Sequence, residues 1–92
     1  MGDYELIKSK VNEIGVVDGV TPTYILELPA PLDMLVFTIL RRRSMTVEQI
    51  GDYLELPAAE AQEIAAVLSD KGYLNAQDGQ NGTVYRVRLA HL

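Results

Sequence analysis

The stretch from Met45 to Leu74 constrains the fold of this chain more than any other part of its 92 residues. It contains two runs in which apolar residues recur every three or four positions, and this spacing predicts two short amphipathic helices. The runs are separated by Glu55-Leu56-Pro57, where the proline disfavours helix for the residue before it and favours a new helix start. Gly72 follows the second run and suits the left-handed conformation that ends many helices. The stretch therefore predicts two short helices, a tight turn between them and an extended exit.

The first of these helices is predicted to begin at Thr46, whose hydroxyl can accept a backbone N–H of the first turn. Gln49 lies three residues later, where its side chain can reach back in a capping box. Two short helices joined by a turn of three or four residues form a helix-turn-helix unit. The buried faces are predicted to be Val47, Ile50 and Leu54 in the first helix and Ala61, Ile64, Ala65 and Leu68 in the second.

This pattern resembles the helix-turn-helix of winged-helix domains in bacterial and archaeal transcription regulators. The resemblance rests on Ile50, Leu54, Leu56, Ala61, Ala65, Leu68 and the exit Asp70-Lys71-Gly72-Tyr73-Leu74. It covers residues 32–89 and implies an α+β fold with a three-helix core and a β-hairpin, the wing. Winged helices mostly bind DNA, and a sizeable minority bind only proteins, so the resemblance implies a binding module without naming its ligand.

Residues 32–92 are predicted to form this winged-helix domain, which starts with a helix ahead of the helix-turn-helix. Apolar residues at helical spacing predict that this helix covers Leu32–Arg43. Asp33 near its start and the arginines at its end match the helix dipole, which favours acids at the N-terminus and bases at the C-terminus. Ser44-Met45 would then form the short strand that precedes the next helix.

A β-hairpin is predicted after Gly72, with strands at Tyr73–Ala76 and Thr83–Leu89. The polar loop between them contains an Asp-Gly and an Asn-Gly pair, which are strong signals for a tight turn. Side chains alternate between the two faces of a strand. We therefore expect Tyr85, Val87 and Leu89 to face the core and Val84, Arg86 and Arg88 to face outward.

Residues 1–31 precede the predicted winged-helix domain and form an N-terminal extension. Tyr4–Ile14 has apolar residues at helical spacing and is predicted to be a short helix. Thr23–Leu28 is rich in β-branched and aromatic residues, which predicts a strand. The extension has two interpretations: a scaffold that covers the core, or an arm through which the protein forms a homodimer.

The charge distribution bears directly on what the helix-turn-helix can bind. Six acidic residues and one basic residue lie between Thr46 and Lys71, so this unit carries the whole net charge of −5. Proteins that bind DNA draw much of their affinity from lysine and arginine placed at phosphates. The second helix offers no such residue at its outward positions, which are Ala58, Ala59, Gln62, Glu63 and Ala66.

Two sets of residues are candidate contacts to double-stranded DNA. Gln62 can pair with adenine and Glu63 can accept from cytosine, while the alanines can at most touch a thymine methyl. The candidate phosphate contacts are the arginines of the first winged-domain helix and of the last strand, Arg41, Arg42, Arg43, Arg86 and Arg88. Each arginine also fits an ordinary structural role, as a helix end matched to the dipole or as a solvent-facing strand residue.

The same second helix also fits a protein interface. Its small side chains would let another helix approach closely; they are Ala58, Ala59, Ala65 and Ala66. Glu60 and Glu63 would select a basic partner. The high helix propensity of alanine explains these positions equally well without any partner. The resemblance favours a DNA-binding regulatory module that acts as a dimer. The alternative is a winged helix that binds a basic protein and has no DNA affinity.

Catalytic, cofactor and metal sites are not expected. The chain has no cysteine, so it offers neither a thiol nucleophile nor a thiolate metal site. Its single histidine, His91, stands next to the terminus, and nothing in the sequence supports a Ser-His-Asp set around it. The longest apolar run, Met34–Phe37, is far too short to span a membrane, and the N-terminal residues lack the apolar region of a signal peptide. We therefore expect a non-enzymatic cytoplasmic protein without a membrane segment.

Overall fold

The computed structural model describes residues 4–79 and 82–90 of the chain. Within those residues it is an α+β fold of five helices and one three-stranded sheet. The elements in chain order are α1 Tyr4–Glu13, α2 Pro22–Leu26, α3 Leu32–Arg42, β1 Met45–Thr46, α4 Val47–Leu54, α5 Ala58–Asp70, β2 Leu74–Gly79 and β3 Gly82–Val87. The order from α3 onward is compatible with the winged helix expected from the sequence.

The three strands form an antiparallel sheet in the order β1-β3-β2. β3 lies in the middle, where Tyr85 pairs with Met45 of β1 and with Ala76 of β2. β2 and β3 form the predicted hairpin. β2 continues through Gly79, further than expected, and residues 80–81 of the predicted loop lie outside the described part of the chain.

The start of α4 has the predicted capping box. The Gln49 backbone N–H donates to the Thr46 hydroxyl over 3.2 Å, and the Thr46 backbone N–H donates to the Gln49 side-chain oxygen over 2.9 Å. These two bonds satisfy donors that have no partner within the helix. Pro57 precedes α5, and Gly72 follows it with a φ of 91°, as the turn signals indicated. The predicted boundaries of these two helices are therefore confirmed.

The predicted strand at Thr23–Leu28 is wrong, because this segment forms the short helix α2. Thr21 caps it by accepting the Tyr24 backbone N–H over 3.2 Å, and Pro22 occupies its first turn. A cap and an N-terminal proline are local signals that favour a helix. They outweigh the β-branched and aromatic composition, since strand propensity depends on neighbouring strands that this segment does not have in the described sheet.

The prediction that Leu89 faces the core is also wrong, although Tyr85 is buried as expected. β3 ends at Val87, and half of the Leu89 surface is exposed. Beyond the strand the backbone turns toward the N-terminal third of the chain: the Val20 N–H donates to the Arg88 carbonyl over 2.8 Å. The alternation of faces therefore stops where the hairpin stops.

One hydrophobic core joins the N-terminal third of the chain to the helix-turn-helix. Its helical layer packs against the inner face of the sheet through Met45, Leu74 and Tyr85. The buried side chains are Ile7, Val11, Val20, Ile25, Leu28, Leu32, Leu35, Val36, Ile39, Met45, Ile50, Leu54, Ala61, Ile64, Ala65, Leu68, Tyr73, Leu74 and Tyr85. All seven residues named from the sequence as the buried faces of α4 and α5 are in this core or packed against it.

Candidate interaction surfaces

The outward face of α5 is exposed as the helical spacing predicted. Ala58, Ala59, Gln62, Glu63 and Ala66 are all exposed. Ala65 is fully buried on the opposite side of the helix, so its predicted contact with a partner helix is wrong. No lysine or arginine lies on this helix. The face therefore carries small side chains at its N-terminal end and an acidic side chain, Glu63, further along.

Gly51 of α4 allows the turn between α4 and α5 to lie close against α4. A Cβ atom at this position would lie 2.8 Å from the Leu56 carbonyl oxygen, which is closer than such atoms come in folded proteins. The Leu56 N–H in turn donates to the Gly51 carbonyl over 2.8 Å. Sequence reasoning did not single out Gly51, although a glycine inside a helix is a signal of close backbone approach.

The C-terminal part of the outward face lies beside α1. The Tyr4 hydroxyl donates a hydrogen bond to the Glu63 carboxylate, and this acceptor raises the pKa of Tyr4. The two helices border a groove of about 300 Å³. Its lining residues are Tyr4, Lys8, Val11, Asn12, Glu63, Ile64, Ala66 and Val67. Glu63 and Ala66 are thus part of an interhelical groove, whereas Ala58 and Ala59 are not among its lining residues.

The three arginines at the end of α3 are exposed but differ in backbone conformation. Arg41 and Arg42 belong to the last helical turn, and Arg42 borders a groove with Gln49, Asp52 and Tyr53 of α4. Arg43 follows the helix with a φ of 76°, in the region that residues other than glycine seldom adopt. α3 therefore ends at Arg42, one residue earlier than the predicted end at Arg43.

Arg43 and Arg86 lie on one groove between α3 and β3. The groove has a volume of about 250 Å³, and its other lining residues are Leu40, Val87 and Leu89. No hydrogen bond or ion pair to either arginine side chain is present among residues 4–79 and 82–90. Two candidate phosphate contacts from distant parts of the sequence are therefore brought together on a partly apolar floor.

Arg88 differs from Arg86 because it is engaged within the chain. Its guanidinium donates to the Asp18 carboxylate over 2.5 Å, and both side chains are largely exposed. An exposed ion pair of this kind contributes little stability, on the order of 1 kcal/mol or less. It does offset the charge that Arg88 would otherwise present to an anionic ligand.

The exit from α5 holds the N-terminal third of the chain through contacts that the sequence did not reveal. The Lys71 ammonium donates to the carbonyl oxygens of Val11, Asn12 and Ile14 over 2.9, 3.1 and 2.6 Å. These carbonyls end α1 and would otherwise lack intrahelical partners. From the sequence, Lys71 stands out only as the one basic residue between Thr46 and Lys71.

Gly72 and Tyr73 complete this contact. A Cβ atom on Gly72 would lie 1.7 Å from the Val17 carbonyl oxygen, so the two backbone segments touch. The Gly19 N–H donates to the Gly72 carbonyl over 3.2 Å, and the Tyr73 hydroxyl donates to the Gly15 carbonyl over 2.7 Å. The residues that most suggest a winged helix therefore also hold the N-terminal third of the chain.

The structure can be searched for a metal site and a membrane-spanning helix only in the residues it describes. Among the described residues, no group of three or more histidine, aspartate or glutamate side chains is placed to hold a metal ion. In that same part of the chain, none of the helices has the length and apolar character needed to cross a bilayer. His91, the residue on which a catalytic or metal role would depend, lies outside the described residues.

Comparisons with known proteins do not assign this α+β fold to a family. No protein-family model matches the chain, and neither the curated proteins nor the solved structures contain a match. The structure itself shows a small α+β domain with a three-stranded antiparallel sheet.

Proposed function

We propose that the chain is a winged helix-turn-helix module that acts by binding a basic protein partner through the outward face of α5. The succession of α3, β1, α4, α5 and the β2–β3 hairpin supports the winged-helix assignment, as does the central place of β3 in the sheet. The module is non-enzymatic in this proposal.

The charge of α5 is the observation that carries the proposal. Its exposed N-terminal end offers Ala58 and Ala59, whose short side chains lose no rotamer freedom when a partner packs on them. Glu60 and Glu63 flank these alanines and would favour a partner of positive charge. An interface in which small residues form the floor and acids the rim needs no lysine or arginine of its own.

Two contacts make DNA the weaker ligand for this geometry. Arg88 is paired with Asp18, and Glu63 accepts a hydrogen bond from Tyr4 of α1. The first removes a free cation from the strand, and the second holds a carboxylate at the face that would have to enter a polyanionic groove. Without cations there, the counterion release that supports most non-specific binding is small.

DNA binding remains a second candidate because of the remaining arginines. Arg43 and Arg86 share one groove, and Arg41 and Arg42 are exposed on the adjoining helix end. A homodimer would double these contacts. In this second proposal Arg43→Glu combined with Arg86→Glu abolishes binding to duplex DNA, while the far-ultraviolet circular dichroism spectrum is unchanged.

A pair of measurements separates the two candidates. In the first, mixed-sequence duplex DNA is titrated with the protein at about 50 mM and then about 200 mM salt. Roughly six to ten phosphate contacts, the number a dimer could make, would produce a loss of about a thousandfold or more in affinity. We expect no saturable binding even at the lower salt. Steeply salt-dependent binding would contradict the protein-partner proposal and favour DNA.

The second measurement tests the α5 face in cells. A photo-crosslinking amino acid placed at Ala59 should trap a basic protein, and Glu27, which is exposed on a different part of the surface, gives the control position. Combining the Ala59 crosslinker with Glu60→Lys and Glu63→Lys should remove the product. A product that persists after this charge reversal would contradict a partner selected by charge.

A further inference from the structure

We propose that the groove between α3 and β3 docks an acidic peptide segment that carries an apolar side chain. This groove is lined by Leu40, Arg43, Arg86, Val87 and Leu89, and none of these residues belongs to α5. The inference is therefore independent of the α5 interface and describes a second binding site of opposite charge.

The charge of the groove selects an anion. Arg43 follows α3 and Arg86 lies in β3, so two separate elements bring the two guanidinium groups to the same groove. Neither has an ion pair or hydrogen-bond partner in residues 4–79 and 82–90, whereas Arg88, two residues further on, is paired with Asp18. Guanidinium groups bind carboxylates through paired, charge-assisted hydrogen bonds. A ligand with carboxylates fits this arrangement.

The floor of the groove selects an apolar group beside that anion. Leu40 and Val87 are partly buried and pack against the core, and half of the Leu89 surface is exposed. A volume of about 250 Å³ has room for a large side chain between these residues. Nucleic-acid phosphates and sugars offer no such side chain, so a peptide matches the groove better than DNA.

The backbone of Arg43 gives a third reason to regard the groove as a site. Helices commonly end with glycine in the left-handed conformation, because a side chain there is strained. Here the position, with a φ of 76°, is occupied by arginine. Residues in strained conformations concentrate at functional sites, and the Arg43 side chain lines this groove.

The test uses the full chain labelled with ¹⁵N and three synthetic peptides of equal length. One alternates aspartate and leucine, the second alternates aspartate and serine, and the third alternates lysine and leucine. We expect the aspartate–leucine peptide alone to cause saturable chemical-shift changes, centred on the amides of Leu40, Val87 and Leu89. Changes centred on α5 would overturn the proposal, and so would equal binding of the serine peptide, because that outcome leaves no role for the apolar floor.

Arginine variants identify the groups responsible. Arg43→Gly and Arg86→Thr each suit the local backbone, one at a positive φ and the other in a strand, and each should weaken the aspartate–leucine peptide about tenfold, the usual size of one charged hydrogen bond. Arg41→Ala is the matched control, since Arg41 lies on the same helix end and does not line the groove. Equal losses in all three variants would overturn the proposal. In a competition titration, duplex DNA could also displace the bound peptide. Displacement at a DNA concentration below the dissociation constant of the peptide would assign the groove to nucleic acid instead.

Discussion

The ammonium of Lys71 donates a hydrogen bond to the carbonyl oxygen of Val11 over 2.9 Å, although 60 positions separate the two residues. The same ammonium also reaches Asn12 and Ile14, so the end of α1 is capped by a side chain from the end of α5. A positive charge at the C-terminus of a helix is favourable in its own right, because it opposes the negative end of the helix dipole.

Replacing Lys71 by methionine should destabilise the protein by about 1–3 kcal/mol, because part-buried carbonyls lose charged hydrogen bonds. Urea denaturation measures the free energy of unfolding, and amide exchange should show faster opening of α1. Arg41→Met is the control, a long exposed cation with no such contact, and should change stability by no more than about 0.5 kcal/mol. Equal effects for the two variants would show that the Lys71 contacts contribute nothing.

Replacing Gly72 by alanine should destabilise the protein by at least about 2 kcal/mol, since the new side chain would be strained by the positive φ and would collide with the Val17 carbonyl. Gly15→Ala is the matched control, because a Cβ atom at Gly15 meets nothing within 4 Å. Thermal denaturation of both variants checks the prediction. A Gly72→Ala protein as stable as the Gly15→Ala protein would mean that residues 17 and 72 do not touch.

The Tyr73 side chain should make stability depend on pH in the alkaline range. Burial raises the pKa of the Tyr73 hydroxyl above its ordinary value of 10, and the neighbouring Tyr24 adds to the shift. The folded state thus favours the neutral phenol. Its contribution to stability is complete below the unfolded pKa and is lost as the pH rises beyond it.

Tyr73→Phe should therefore lose less stability than the original protein when the pH rises from about 9 to about 11. At neutral pH the variant should be less stable by about 1 kcal/mol, because the hydrogen bond to Gly15 is gone. Tyr53→Phe, which changes an exposed tyrosine, is the control for stability at neutral pH and should change it by no more than about 0.5 kcal/mol. An alkaline slope in Tyr73→Phe equal to that of the original protein would contradict the role assigned to Tyr73.

Replacing Arg43 by glycine should stabilise the protein by about 1 kcal/mol, because glycine adopts a positive φ without strain. The neighbouring Arg42 lies within α3, and Arg42→Gly should have the opposite sign, a loss of about 0.5–1 kcal/mol from glycine inside a helix. Urea denaturation of the pair measures both values. Losses in both variants would contradict the prediction and show that the Arg43 side chain stabilises the fold by more than its backbone strain costs.

Local signals made the helix-turn-helix predictable from the sequence. The capping box of Thr46 and Gln49, the turn at Pro57 and the glycine after α5 all act within a few residues, and all three appear in the structure. α2 was predicted wrongly for a related reason. Its cap and proline, Thr21 and Pro22, are local signals of the same kind, and they prevail over a composition that favours a strand.

The surfaces were less predictable because their members are far apart in the sequence. The helical spacing of apolar residues correctly predicted that Ala58 and Gln62 are exposed on α5. It could not show that Arg88 meets Asp18 or that Arg43 shares a groove with Arg86, since no local pattern encodes which distant segments meet. The role of Lys71 was hidden for the same reason.

The pairing of Val20 with Leu89 has a consequence for the way the protein is made. A ribosome releases the N-terminus first, so residues 15–20 leave it long before the residues that bind them. The hydroxyl that holds Gly15, for example, belongs to a tyrosine 58 positions later. Contacts between distant residues form slowly because a long loop must close first. A nascent chain that ends before α5 lacks the helix against which α1 packs most closely, so Ile7 and Val11 stay exposed in it. Exposed apolar surface of this kind makes unfinished chains prone to aggregation.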